Sequence, residues 1–152
     1  MDFAELKRRA EAGSCPAESV LGNFYLFGYG PIEVDYQEAF RFLTAAAKKG
    51  ASRAIANLGY MYEEGLGVPK DVTKATELYE RVGELEFFAA IALGRIYSKR
   101  SATSADQERA FKWYSVATGF DGRVSDCGEL NEAKAYVSKR EPPRADRGQT
   151  AI

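Results

Sequence analysis

The residue types that most often do chemistry are scarce in this chain. Its 152 residues include no histidine. That excludes Ser-His-Asp and Cys-His nucleophile systems, and every metal site that needs imidazole. Two cysteines, Cys15 and Cys127, lie near opposite ends. They are too few for a disulfide framework, and a cysteine nucleophile without histidine is poorly supported. Glu63-Glu64 and Glu84/Glu86 are the closest acidic groupings. Paired carboxylates can work as acid and base in glycoside hydrolysis, but only in a cleft that separates their pKa values. Neighbours on a helix point to different sides, so a solvated helix end is the better reading. Lys7-Arg8-Arg9 sits among Asp2, Glu5 and Glu11 and reads as a solvated face. Gly28-x-Gly30 and Gly65-x-Gly67 are not phosphate loops, because no strand precedes them. The expectation is no catalytic residue, no cofactor and no metal.

Bulk composition agrees with a folded, globular protein. Hydrophobic residues make up 45% and charged residues 28%, which suits one globular domain. Basic and acidic residues number 21 and 22, so nothing pulls the chain as a whole toward nucleic acid or an anionic membrane. No apolar run approaches the length of a transmembrane helix, and the charged N-terminus lacks a signal core. As written, the chain reads as cytoplasmic.

A repeat organises these residues. Leu-Gly-x-x-Tyr, with Ala four residues before the Leu, occurs three times. It reads Ala17, Leu21, Gly22, Tyr25, then Ala54, Leu58, Gly59, Tyr62, then Ala89, Leu93, Gly94, Tyr97. Successive leucines are 37 and 35 residues apart. A second pattern follows each copy: Ala39, Phe42, Leu43, Ala46; Ala75, Leu78, Tyr79, Val82; Ala110, Trp113, Tyr114, Ala117. Apolar residues at offsets 0, 3, 4 and 7 share one stripe of an α-helix. Each unit is therefore a helix pair, A then B. Gly28 and Gly65 suit the left-handed residue after helix A, while Asp35 and Asp71 suit the N-cap of helix B. Gly inside helix A costs about 0.8–1 kcal/mol against Ala. Its recurrence as Gly22, Gly59 and Gly94 therefore marks a close approach between helices.

The array spans repeats 17–51, 52–86 and 87–121. A helix over 2–12, with Asp2 as its cap, covers the first face as a half-repeat through Leu6 and Ala10. A last helix over 126–140 presents Leu130, Ala133 and Val137. Pro142-Pro143 ends it, and 141–152 is expected to be a loose tail. Several helices then separate Cys15 from Cys127, too far for the approach of about 7 Å that a disulfide needs. Helix B of the second unit is expected to stop early, at Val82-Gly83.

Residues 51–82 resemble the Sel1-like repeat (SLR) family, which is similar to tetratricopeptide repeats. The matching positions are Ala54, Leu58, Gly59, Tyr62, Gly65, Gly67, Val68, Asp71, Lys74, Ala75 and Tyr79. The resemblance implies an all-α fold, a right-handed α/α superhelix (solenoid) with A helices concave and B helices convex. It also implies a scaffold or adaptor that binds other proteins. In bacteria such repeats resemble modules of signalling, secretion and toxin-neutralising systems. A cysteine-rich branch, linked to β-lactam binding, staples each helix pair with a disulfide; this chain has no such pair in any unit.

With A helices concave, offsets 3, 6 and 10 from each signature Ala form the exposed stripe. These are Val20, Asn23 and Phe27, then Asn57, Tyr60 and Glu64, then Ala92, Arg95 and Lys99. They grade from apolar through aromatic and acidic to basic. Phe27, Tyr60 and Arg95 are the expected core of a partner-binding site, since interfaces favour aromatic and Arg anchors. Phe87-Phe88 cannot both face one side, so one is a second expected contact or a self-association site giving a homodimer. The expected function is non-enzymatic: an adaptor, with an immunity protein against a toxin or effector as the alternative. A small-molecule or peptidoglycan-related binder or enzyme using the groove is the remaining reading.

Overall fold

The computed structural model describes residues 2–100, 103–120 and 128–140. These residues form α1 (Phe3–Glu11), α2 (Cys15–Phe27), α3 (Tyr36–Lys48), α4 (Ser52–Glu64), α5 (Val72–Val82), α6 (Phe87–Arg100), α7 (Ser104–Thr118) and α8 (Gly128–Ser138). Among the described residues there is no strand, only an isolated bridge between Tyr29 and Ile32. None of these helices is long and apolar enough to cross a membrane.

The tightest partners are α2 with α3, α4 with α5, and α6 with α7. Each pair then stacks on the next through α3 on α4 and α5 on α6. The A helices α2, α4 and α6 also touch in order, and α6 reaches α8, whereas the B helices make no comparable contact with one another. A stack whose A layer is closer together than its B layer must curve toward the A layer. The result is an all-α solenoid with α2, α4 and α6 on the inner face.

The internal glycines have the expected cause. A Cβ on Gly22 would come 2.7 Å from Leu43 Cγ, one on Gly59 2.7 Å from Tyr79 Cε1, and one on Gly94 2.8 Å from Tyr114 Cδ1. In each unit the same helix B position fills the space above the helix A glycine. Local helix propensity is given up so that two helices can pack at close range.

Two of the three expected acidic caps form. Asp35 accepts from the backbone N–H of Gln37 and Glu38, both at 3.0 Å, and Asp71 accepts from Lys74 N–H at 2.9 Å. Asp2 is different: it occupies the N-cap of α1 but makes no side-chain capping bond. Glu5, the other half of a capping box, is engaged by the Arg8 guanidinium at 2.8 Å instead. In the third unit Thr103 caps α7 by accepting from Asp106 N–H.

The main core runs from α2 to α8, with Leu43, Met61, Ile91, Leu93 and Leu130 fully buried. A smaller cluster joins Leu6 and Ala10 of α1 to Ala17, Leu21 and Phe42. Buried leucines of this kind contribute roughly 1.5–3 kcal/mol each. Thus α1 and α8 cover the two ends. The early stop of α5 at Val82 has a visible partner: a Cβ on Gly83 would lie 2.5 Å from Trp113 Cζ3 of the next unit. A feature with no sequence signal is Glu18, 4% exposed, whose carboxylate accepts from Lys49 at 2.6 and 2.7 Å. Lys49 also donates to the Gly13 carbonyl, tying the α1–α2 junction to the end of α3. Cys15 is free, while Cys127 and the 141–152 tail lie outside the described residues.

Candidate functional site

The inner face holds a groove of about 580 Å³. Seven of the nine stripe residues line it: Asn23 and Phe27 from α2, Asn57, Tyr60 and Glu64 from α4, Ala92 and Arg95 from α6. Val20 and Lys99, at opposite ends of the array, do not; Val20 is nonetheless exposed. A second depression lies on the outer side of α3, around Phe40, Arg41 and Thr44. All its lining residues come from α3 and the lysine that follows it, so it brings no separate elements together.

Exposed rings dominate the groove. Phe27 is 55% exposed, Tyr60 37% and Phe88 69%. Phe27 and Tyr60 stack with centroids 5.9 Å apart, joining units one and two. Beside them Asn57 Nδ2 donates to Asn23 Oδ1 at 3.1 Å, so α2 and α4 are also linked by a side-chain hydrogen bond. Phe88 brings α6 into the same apolar surface, while its neighbour Phe87 is buried in the core. The adjacent phenylalanines therefore divide as expected, and the exposed one falls inside the groove.

Arg95 does not stand free. Its guanidinium grips Glu132 of α8, Nη2 to Oε2 at 2.6 Å and Nε to Oε2 at 3.0 Å. Glu132 also accepts from the Tyr114 hydroxyl at 2.7 Å. The Arg95 hydrogen bonds hold the Glu132 carboxyl below its ordinary pKa. Burial, then the bond to Glu132, pushes the Tyr114 hydroxyl up to about 12. Arg95 is thus an anchor between α6 and α8, so of the two basic stripe residues it is the one whose charge is paired, while Lys99 is exposed beyond the groove.

The acidic groupings depart from a merely solvated helix end. Glu63 is half-buried and accepts from the Tyr79 hydroxyl at 2.7 Å; burial, then Glu63, raises the pKa of that hydroxyl. Glu86 is half-buried and accepts from Ser52 Oγ at 2.5 Å. Glu63, Glu64 and Glu86 all line the groove, as does Arg53 from the first turn of α4. Arg53, Glu63, Tyr79, Glu86 and Phe88 are groove residues outside the nine-residue stripe. Two of them had a signal: Arg53 and Phe88 lie one helical turn before Asn57 and Ala92 on the same stripe.

Comparison with known proteins places this architecture. A sequence model of the Sel1 repeat matches residues 16–50, 52–85 and 88–118. Mouse protein sel-1 homolog 2 is 30% identical over 117 residues, covering 72% of this chain and 17% of its own length. The Arabidopsis thaliana ERAD-associated E3 ubiquitin-protein ligase component HRD3B is 33% identical over 111 residues, again 72% of this chain and 17% of its own. The chain therefore spans under a fifth of these curated relatives. The crystal structure of a Sel1 repeat protein from Oxalobacter formigenes superposes with a TM-score of 0.69 at 34% identity, over 91% of this chain and 98% of that one. Three matched repeats, the glycine-centred helix pairs and this structural likeness together show that the chain belongs to the Sel1 repeat family.

Proposed function

We propose that this chain is a non-enzymatic interaction module that binds a partner protein in its inner groove, as an adaptor or scaffold. The observation that carries the reading is the convergence of Phe27, Tyr60 and Phe88, all exposed, from three successive A helices onto one concave surface. Exposed aromatic side chains in a concavity are what protein interfaces use as anchors. The name of the Arabidopsis relative, a ligase component, describes a protein that works within an assembly. Among the described residues, the carboxyls of Glu5, Glu38 and Glu132 are each lowered by an arginine, which favours binding over catalysis. That is the signature of an ion pair and not of a general acid. The immunity alternative finds no feature of its own in the groove, so the adaptor reading is preferred.

A photo-crosslinking phenylalanine analogue placed at Phe88, and as a control at exposed Lys48 on the outer side of α3, tests this. With extract from the native host, adducts are expected at position 88 and not at 48. The reverse pattern would move the interface to the convex face and overturn the proposal.

A further inference from the structure

The groove's charge is lopsided once internal pairing is accounted for. Glu63, Glu64 and Glu86 line it, and among the described residues none of them is in an ion pair. Their hydrogen bonds come from neutral hydroxyls, Tyr79 to Glu63 and Ser52 to Glu86, which leave the negative charge in place. On the positive side, Arg95 is cancelled by Glu132 at 2.6 Å, so among the described residues that line the groove Arg53 alone stands against three carboxylates. The same groove is lined by the exposed rings of Phe27, Tyr60 and Phe88, the first two stacked on one another. Aromatic faces carry negative quadrupole potential and attract ammonium and guanidinium groups. Carboxylates and ring faces in one concavity favour the same kind of guest.

Resting on the reading that the groove binds protein, we propose that its occupant is a partner segment carrying Lys or Arg beside apolar side chains. The apolar side chains lie against Phe27, Tyr60 and Phe88, and the cations reach Glu63, Glu64 and Glu86. A segment rich in Asp or Glu meets like charge and is rejected, so the same acids provide affinity for one class and exclusion of another.

Three short fluorescein-labelled peptides test this, matched in leucine and alanine content and differing only in Lys, Gln or Glu at the remaining positions. Fluorescence anisotropy with the full chain is expected to rank them Lys, then Gln, then Glu, with the Lys peptide weakening as salt is raised. Glu64→Gln and Glu86→Gln should each weaken the Lys peptide by roughly threefold to fivefold, the scale of an exposed ion pair. Glu108→Gln, an exposed acid of α7 outside the groove, should leave it unchanged. Phe88→Ser should weaken both the Lys and the Gln peptides. Equal affinity for all three peptides, with Phe88→Ser still weakening them, overturns the charge assignment while the groove remains a protein site. Indifference to Phe88→Ser as well overturns both readings. A dimer in sedimentation velocity that Phe88→Ser dissociates would assign the groove to a second copy. Peptide binding seen only after removal of residues 141–152 would assign it to the chain's own tail. Either outcome overturns the proposal.

Discussion

The ring of Tyr79 occupies the space that Gly59 leaves empty, and its hydroxyl reaches 2.7 Å to Glu63, one turn further along the same helix. The other units vary this arrangement in a chemically consistent way. Where Leu43 replaces the tyrosine, the position one turn beyond Gly22 is Leu26, which is buried. Where Tyr114 fills the space over Gly94, its hydroxyl reaches Glu132 of α8 at 2.7 Å instead, and Ser98, one turn beyond that glycine, donates to the Arg95 carbonyl. The residue over the glycine and the residue one turn beyond it thus differ together between the first two units, tyrosine with glutamate and leucine with leucine.

Gly59→Ala tests the contact. On an open helix it would stabilise by about 1 kcal/mol through propensity. Here the added methyl meets a ring held at its far end by Glu63, and overpacking costs about 1–3 kcal/mol. Urea denaturation should therefore show a net loss, and a gain would contradict the packing account.

The acidic caps differ in a measurable way. Asp35→Ala and Asp71→Ala should each lower stability by about 1 kcal/mol, because both carboxylates accept backbone N–H groups. Asp2→Ala should change it far less, since Asp2 makes no capping bond. Equal losses at all three would count against the distinction.

The Arg95–Glu132 pair makes stability depend on pH at the acid end. The folded pKa of Glu132 is depressed, so its contribution is present above the ordinary glutamate pKa of about 4.3 and is lost as pH falls through the lower folded value. Both side chains are more than a third exposed, so the effect stays under about 1 kcal/mol. Glu132→Gln should shallow the fall in thermal midpoint below about pH 4. An identical acid limb in the variant would exclude this source.

Tyrosine titration has the opposite sign. Tyr97 and Tyr114 are raised to about 12 and Tyr79 is raised as well, by burial first in every case. Their contribution is present below the unfolded tyrosine pKa of about 10 and is lost as pH rises through the folded values. In an alkaline absorbance titration, these three of the nine tyrosines should ionise late in the native protein and normally in urea. Ionisation of all nine together near pH 10 in the native state would contradict the burial described.

The helix pairs, the internal glycines and the caps at Asp35 and Asp71 were legible because each leaves a local, periodic trace. The groove was partly legible. Asn23, Phe27, Asn57 and Tyr60 follow from the exposed stripe, and extending that stripe one turn toward the N-terminus adds Arg53 and Phe88. Pairings across units carry no periodicity. Nothing at Arg95 announces Glu132, 37 residues away, and nothing at Glu18 announces Lys49. Arg95, Glu63 and Glu86 were reassigned by partners from other helices, while Glu64, Glu84 and Lys99 are exposed as read.

The central claim is that the inner groove, through its exposed rings, binds a protein. Its most direct test is calorimetric titration of the partner captured from the native host into the wild-type chain and into Phe27→Ser/Phe88→Ser, with Lys48→Ser as the outer-face control. The groove variant should lose at least roughly tenfold in affinity, the effect of losing anchors worth more than about 1.4 kcal/mol, with a thermal midpoint near that of the wild type. The control should bind as the wild type does. Full affinity in the groove variant would contradict partner binding through these rings.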